Sequence, residues 1–241
     1  MSLEVAKPGA EVAVVHHAGE HEEHLHHQFE AREQQDESYV VGMWSFLVTE
    51  ILFFGALFLC YTIYRMKYPD VFSDAHEHLD WRLGALNTVI LLTSSLTMAL
   101  SVYSAQIGRR FGAILGMVAT TGLALAFLVV KLAFEWYPKW QHHLIPGQTF
   151  HYFSGEQMGA ASKVDPGKAE LFFGLYFAMT GLHGIHVLIG MIIMGVLCLM
   201  LALDRPAVRY YMPIELAGLY WHFVDIVWIF LFPLFYLIGK A

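Results

Sequence analysis

The chain has 241 residues, of which 57% are hydrophobic and only 15% are charged, and its formal net charge is −7. About a quarter of the residues in a typical soluble domain are charged, so this composition excludes an ordinary water-soluble globular protein. The charges are concentrated in residues 1–38 and in the connections near 65–82, 138–170 and 204–215, a segregation that is typical of a chain that crosses a bilayer.

The first 38 residues form a polar segment rich in histidine and glutamate. Its string HHAGEHEEHLHH places histidines among acidic residues, and tracts of this kind can bind transition metals. The histidines concerned are His16, His17, His21, His24, His26 and His27. We predict a disordered, solvated tail over residues 1–38, with metal binding by these histidines as the alternative.

Five apolar segments follow the tail, and each is long enough to cross a hydrocarbon core of ~30 Å. They cover residues 40–64, 83–107, 111–137, 170–203 and 214–239. Backbone polar groups inside lipid must be hydrogen-bonded, and long runs without strict alternation favour helices over barrel strands. We therefore predict an all-α protein in which residues 39–241 form a bundle of five transmembrane helices.

The first segment contains one acidic residue, Glu50, in the run WSFLVTEILFFGALF. Ionisable groups inside a membrane are costly, so an ionised carboxylate at this depth requires a partner. One interpretation is a protonated Glu50 that holds a neighbouring helix through a hydrogen bond, for which His183 or His186 is a candidate. The other is an acid that handles protons or contacts lipid.

The fourth and fifth segments each place two polar residues three positions apart. The fourth contains TGLHGIH, with His183 and His186, and the fifth contains YWHFVDIVW, with His222 and Asp225. Residues at this spacing share one face of a helix, so Asp225 could orient the ring of His222. We predict that these four residues and Glu50 form a buried polar, proton-handling cluster between helices.

A haem or metal held by His183 or His186 together with His222 is an alternative, because histidines on facing helices can ligate iron. The spacing His-x-x-His is a weak pattern, however, and we predict no metal-binding or catalytic residue in this domain.

The third segment is uncharged until Lys131 and Glu135, an i,i+4 pair near its end.

The connections between segments bear on topology and partners. The prolines and glycines of 138–168 predict an irregular cap that could dock a partner. The short connections on the side where the chain begins carry Arg109, Arg110, Arg205 and Arg209. The positive-inside rule therefore favours a cytoplasmic N-terminus and an outer C-terminus.

Several strings in these segments resemble subunit III of the haem–copper respiratory oxidases, the cytochrome c oxidase subunit III family. They are FLVTEILFFGALF (46–58), LNTVILLTSS (86–95), FEWYP (134–138), TGLHGIHVLIG (180–190) and ELAGLYWHFVDIVWIFLFPLFYLIG (215–239). Their order and spacing match the family, whose long members have seven helices. This chain resembles the shorter, five-helix bacterial members, which lack the first two.

The resemblance implies a non-catalytic subunit of a proton-pumping terminal oxidase that reduces oxygen to water in aerobic respiration. It implies partner subunits I and II, which would hold the haem and copper, and no cofactor in this chain. It also implies a helix cleft that contains phospholipid, support of proton uptake, and protection of the catalytic subunit. Glu50 corresponds to the family acid that reacts with carboxyl reagents. The expected location is the bacterial inner membrane.

Three other functions fit parts of the pattern. An accessory subunit of a nitric oxide reductase would share the helical signature. A small proton-coupled transporter would use Glu50 and Asp225, although such proteins often contain paired broken helices, which are not evident in this sequence. A haem b cytochrome would show visible absorbance in the isolated chain.

Overall fold

The structure, a computed structural model, describes residues 29, 31–147, 150–152, 165–205, 208 and 210–237. None of these residues lies in a β-strand, and five helices are long and apolar enough to cross a membrane. The all-α prediction is therefore confirmed. The elements are α1 (Arg32–Lys67), α2 (Pro69–His76), α3 (Trp81–Gln106), α4 (Arg110–Val129), the π-helical segment π1 (Val130–Trp136), α5 (Tyr137–Gln141), α6 (Pro166–Ala202), α7 (Met212–Phe232) and the π-helical segment π2 (Pro233–Leu237).

Helix ends follow local sequence signals. Asp80 caps α3 by accepting a hydrogen bond from the Arg82 backbone N–H at 2.8 Å, and Asp165 caps α6 by accepting one from Gly167 N–H at 3.0 Å. Pro166 occupies the first turn of α6, where its missing N–H has no cost. Gly108, with φ of 72°, ends the α3 region and allows the short reversal into α4.

The first helix begins at Arg32, inside the segment predicted as a polar tail. Its polar start is stabilised by the connection before α7: Tyr210 donates a hydrogen bond to Asp36 Oδ2 at 2.5 Å, and the Arg32 guanidinium lies 4.3 Å from the Tyr210 ring centroid. The predicted disorder is therefore wrong for residues 32–38. The six histidines of the tail lie outside the described residues, so the disorder and the metal binding of that part stay predictions.

The last helix is the centre of the bundle. In its most apolar window 56% of the residues are buried, compared with 17% in α1 and between 22% and 28% in the other three spans. Helix α7 packs against α1, α3 and α6, whereas α3 and α4 form a close antiparallel pair. In that pair the Ser101 hydroxyl donates to the Ala113 carbonyl at 2.7 Å, and the Thr97 and Thr120 hydroxyls are 2.8 Å apart.

Helix α1 contacts the bundle along one line of side chains. Its buried apolar residues are Leu47, Phe54 and Tyr61, spaced seven apart. Tyr61 donates a hydrogen bond to the Leu234 carbonyl at 2.9 Å. Since Asp36 near the start of α1 meets the connection before α7, and Tyr61 near its end meets π2, the two helices run parallel. We call the face where α1 begins the N face and the opposite one the C face.

The two π-helical segments both lie towards the C face. Segment π1 interrupts the 32-residue helical span Arg110–Gln141, and π2 begins at Pro233, which has no N–H to donate. Such single-turn irregularities often accompany functional sites. A cap of α2 and residues 142–147 and 150–152 covers this face, where Tyr152 donates to Asp74 Oδ2 at 2.5 Å. Burial, together with this carboxylate, raises the pKa of the Tyr152 hydroxyl.

We expect Gly190→Ala to destabilise the contact between α6 and α7. A Cβ at Gly190 would lie 2.8 Å from the Trp221 ring and 3.2 Å from the Tyr220 ring, and overpacking of this kind costs about 1–3 kcal/mol. Gly195→Ala on the same helix is the matched control, because no atom lies within 4 Å of its added Cβ. Thermal unfolding in mild detergent measures both, and equal midpoints would contradict this packing.

Candidate functional site

Glu50 and His186 meet between α1 and α6. The His186 Nε2 lies 3.1 Å from Glu50 Oε2, and the two side chains are only 14% and 20% exposed. The sequence named His183 or His186 as the partner of Glu50, and the structure selects His186. The contact joins two helices near the middle of their lengths, at the depth where a lone carboxylate is most costly.

The tautomer of His186 determines what this pair can do. The His186 Nδ1 lies 2.8 Å from the Leu182 carbonyl, which can only accept, so Nδ1 carries a hydrogen. A neutral His186 therefore presents an unprotonated Nε2 to Glu50, and the proton in the contact comes from the carboxyl group. If the proton moves to the ring, the same contact becomes an ion pair. The arrangement can hold one exchangeable proton in either position.

Apolar grooves flank α1 on both sides. The Glu50 groove, lined by Glu50, His186 and Tyr220 among apolar residues, has a volume of about 600 Å³. The His222 groove lies between α1 and α7 and has a volume of about 380 Å³, with His222 among aliphatic and aromatic side chains. Both are open recesses with mainly apolar linings, of a kind that could accommodate an acyl chain.

The expected pairing of His222 with Asp225 is wrong. The His222 Nδ1 instead lies 2.7 Å from the Ser95 hydroxyl of α3. The Asp225 carboxyl group is buried beside the same Ser95 hydroxyl and interacts with it, although neither carboxylate oxygen reaches the full geometry of a hydrogen bond to a described residue. The two side chains therefore approach the Ser95 hydroxyl of α3 rather than each other.

The two histidines of TGLHGIH face different neighbours. His183 is buried against the rings of Phe127 and Trp228, with centroid separations of 5.6 and 5.2 Å. Neither of its ring nitrogens has a hydrogen-bond partner among the residues described. The five predicted residues therefore do not form one cluster. Glu50 and His186 form a pair at one groove, His222 faces the other groove, and His183 and Asp225 lie inside the bundle.

A second polar group, which the sequence did not predict as a site, lies in the bundle towards the C face. We call Lys131, Glu135, Tyr176 and Tyr236 the buried ion-pair cluster. Lys131 Nζ donates to Glu135 Oε2 at 2.7 Å, while Tyr176 and Tyr236 donate to the same oxygen at 2.8 and 2.5 Å. Lys131 is 4% exposed and Glu135 is 2% exposed. The carboxylate is thus compensated by a cation and two hydroxyls.

Segments π1 and π2 position this cluster. Both charged residues belong to π1, Tyr236 belongs to π2, and Tyr176 comes from α6. The Lys131 ammonium also lies 4.9 Å from the centroid of the Trp228 ring. The i,i+4 pair in an otherwise apolar helix was the only sequence signal for this group. The two tyrosines come from distant parts of the chain, and their convergence depends on the tertiary fold.

The residues described include no group of three or more histidine, cysteine, aspartate or glutamate side chains arranged to hold a metal ion. His186 pairs with Glu50, His222 pairs with Ser95, and His183 packs against aromatic rings. Ligation of haem by these histidines would require His186 and His222 to exchange their present partners.

Comparison with known proteins supports the resemblance. The sequence model of the family described as "Cytochrome c oxidase subunit III" matches residues 151–240. The chain is 32% identical to cytochrome c oxidase subunit 3 of Synechocystis sp., over 82% of this chain and 74% of that protein. It is 28% identical to the cytochrome bo(3) ubiquinol oxidase subunit 3 of Pseudomonas putida, over 83% of this chain and 86% of that protein.

A third relative is the heme-copper oxidase subunit I+III of Aeropyrum pernix. The identity is 28% over 82% of this chain, but only 22% of that longer protein is covered. The chain spans between 65% and 74% of the length of four cytochrome c oxidase subunit 3 proteins that it matches.

We expect Glu135→Gln to be strongly destabilising, because it leaves the Lys131 ammonium buried without a counter-charge. Breaking one partner of a buried ion pair typically costs about 3–5 kcal/mol, whereas replacing both partners by apolar residues is often nearly neutral. The double variant Lys131→Met/Glu135→Leu should therefore recover most of the lost stability. Thermal unfolding of the native assembly in mild detergent measures both variants.

The matched control is Lys168→Met, which removes an exposed ion pair with Asp165 at 3.4 Å. Exposed pairs contribute about 0–1 kcal/mol, so this variant should unfold near the native midpoint. If the double variant is less stable than Glu135→Gln, the ion pair is not what makes the single substitution costly.

Proposed function

This chain belongs to the cytochrome c oxidase subunit III family, and we propose that it is the non-redox subunit of a proton-pumping haem–copper terminal oxidase. The observation that carries the proposal is the match to oxidase subunit 3 proteins over more than four-fifths of the chain. The relatives include a cytochrome c oxidase and a ubiquinol oxidase, so the proposal names the reaction class, the reduction of oxygen to water, and no electron donor.

We propose oxidase subunits I and II as the partners, with haem and copper bound there. The Aeropyrum pernix relative supports this, because its name describes a subunit III sequence joined to a subunit I sequence in one protein. A fused arrangement of this kind requires the two parts to assemble in one complex. The proposed location is the bacterial inner membrane, with a cytoplasmic N face, as the arginines of the short connections favour.

We propose that the Glu50 groove and the His222 groove bind the acyl chains of membrane phospholipids. Their apolar linings and their volumes of about 600 and 380 Å³ support this occupant. The Glu50–His186 pair lies at the edge of the first groove, so the same site would contact lipid and exchange a proton. This pair is the proposed contribution of the chain to proton uptake and to the durability of the catalytic subunit.

The assembly is tested by purification through this chain. We expect extraction in a gentle detergent, followed by mass spectrometry, to recover oxidase subunits I and II in fixed proportion to the chain. Recovery of a nitric oxide reductase catalytic subunit would instead support that accessory role. Recovery of the chain alone, or with an unrelated transporter, would overturn the oxidase assignment.

The role of Glu50 is tested in the assembled complex. Glu50→Gln keeps the size of the side chain but removes the exchangeable carboxyl proton, so we expect the first turnovers of oxygen reduction to remain near the native rate. Sustained turnover or proton uptake should decline sooner, which repeated oxygen-electrode traces would show. The control is Thr49→Val on the same helix, because the Thr49 hydroxyl bonds only its own helix at the Phe46 carbonyl.

A complete loss of the first turnovers in fully assembled Glu50→Gln would place this residue on an obligatory catalytic path. The accessory role proposed for the Glu50–His186 pair would then be wrong. If Glu50→Gln sustained turnover as fully as Thr49→Val, the Glu50–His186 pair would have no role in proton uptake or in the durability of the catalytic subunit.

A further inference from the structure

Several buried polar groups inside the bundle have no hydrogen-bond partner among the described residues. They are both amide atoms of Asn87, both ring nitrogens of His183, both carboxylate oxygens of Asp225, and Glu135 Oε1. The parent residues are at most 3% exposed. An unsatisfied buried polar group costs about 1–3 kcal/mol, so four such residues in one small bundle require a physical explanation.

His183 lies beside Trp228, Glu135 is bonded to a lysine beside the same ring, and Asn87 and Asp225 are near in the chain to residues of this contact. The Trp228 ring centroid is 5.2 Å from that of His183, and the Lys131 ammonium lies 4.9 Å from the same ring. Its Nε1 donates to the Thr88 hydroxyl at 3.1 Å, next to Asn87 in the chain. Asp225 is one helical turn before Trp228 on α7. These contacts place the unsatisfied groups in one region of the bundle interior, around Trp228.

Charged side chains connect this region with the C face. Lys131 is bonded to Glu135, whose second oxygen is unsatisfied, and Lys139 Nζ donates to the Glu135 carbonyl at 3.3 Å. The Asp80 carboxylate interacts electrostatically with Lys139 and is exposed at the surface of the C face. Polar groups thus extend from the surface to the middle of α7.

Internal water is the ligand that satisfies groups of this kind. A buried water molecule typically makes about three hydrogen bonds to otherwise unsatisfied polar atoms, whereas apolar cavities stay dry. Amide, imidazole and carboxylate groups supply both donors and acceptors, which water can match but a metal cation or an anion could not. Chains of aspartate, glutamate and histidine inside membranes are typical of proton relays.

We propose that a path of internal water molecules connects the C face with Asp225, along Glu135, Lys131, His183 and Asn87. The path places the carboxyl group of Asp225 in protonic contact with the aqueous phase on that face. It is separate from the Glu50–His186 pair, which lies at a lipid groove on the other side of α6. The proposal does not depend on the place of the chain in an oxidase.

Radiolytic labelling with H₂¹⁸O tests the path in membranes that contain the native assembly. Hydroxyl radicals formed from a bound water react with the adjacent side chain, so a buried residue is labelled only where water lies beside it. Phe127 and Phe172 are a matched pair of phenylalanines, 1% and 0% exposed. Phe127 contacts His183 and Trp228, whereas Phe172 contacts Phe72, Phe173 and Phe235.

We expect Phe127 to be labelled several-fold more than Phe172, and to take up ¹⁸O when H₂¹⁸O is mixed in shortly before the pulse. Asn87→Leu should reduce the labelling of Phe127 several-fold, because it removes two of the groups that hold the water. His183→Phe is a second variant in case the first does not assemble. Thr93→Val on α3 is the control, since its hydroxyl bonds only the Val89 carbonyl of its own helix.

Equal labelling of Phe127 and Phe172 in the native protein would show a dry interior and overturn the proposal. Labelling of Phe127 without ¹⁸O uptake would show trapped water, and the connection to the C face would be wrong. Unchanged labelling in both Asn87→Leu and His183→Phe would show that these residues do not hold the water.

Discussion

The hydrocarbon layer offers no water to a polar group, and this one constraint determines how the polar residues of the chain are used. Helices satisfy the backbone internally. Hydroxyl side chains on the lipid-facing surface bond to their own helix, as Ser45 does to the Val41 carbonyl and Thr62 to the Phe58 carbonyl, both at 2.8 Å. Glu50, His222 and Glu135 instead contact groups on other elements, and those contacts join the helices of the bundle.

The two ionisable pairs satisfy this constraint in different ways. Glu135 Oε2 accepts from a lysine and two tyrosines, and this many short contacts hold α6, π1 and π2 in one register. Glu50 has a single contact with one imidazole, at the edge of an open groove. Glu135 is therefore held in place by three donors, whereas Glu50 is held by one and borders an open groove. The first arrangement suits assembly, and the second is compatible with the proton exchange that we propose for Glu50.

The sequence could predict the five spanning helices because length and apolar content suffice for that. It could also predict that Glu50 would meet a histidine, since an acid at that depth needs a partner. It could not separate His183 from His186, because three residues along a helix rotate the side chain by about 60°, enough to reach a different neighbour. The sequence could not predict the buried ion-pair cluster for another reason. Tyr176 and Tyr236 are 60 residues apart in the chain, and they come together only through the packing of the bundle and its two π-helical segments.

The position and rotation of α1 in the bundle depend partly on Glu50. A contact line of Leu47, Phe54 and Tyr61 would by itself leave the helix free to rotate or slide, because apolar side chains specify little and lipid competes equally for them. Polar contacts at three depths remove that freedom, through Asp36 at the N face, Glu50 midway and Tyr61 towards the C face. Glu50 lies beside the line, so its bond with His186 fixes the rotation of α1 and keeps the carboxyl group at the groove. A substitution at Glu50 would therefore affect helix orientation as well as the proposed proton exchange, and only an amide that preserves the hydrogen bond separates the two effects.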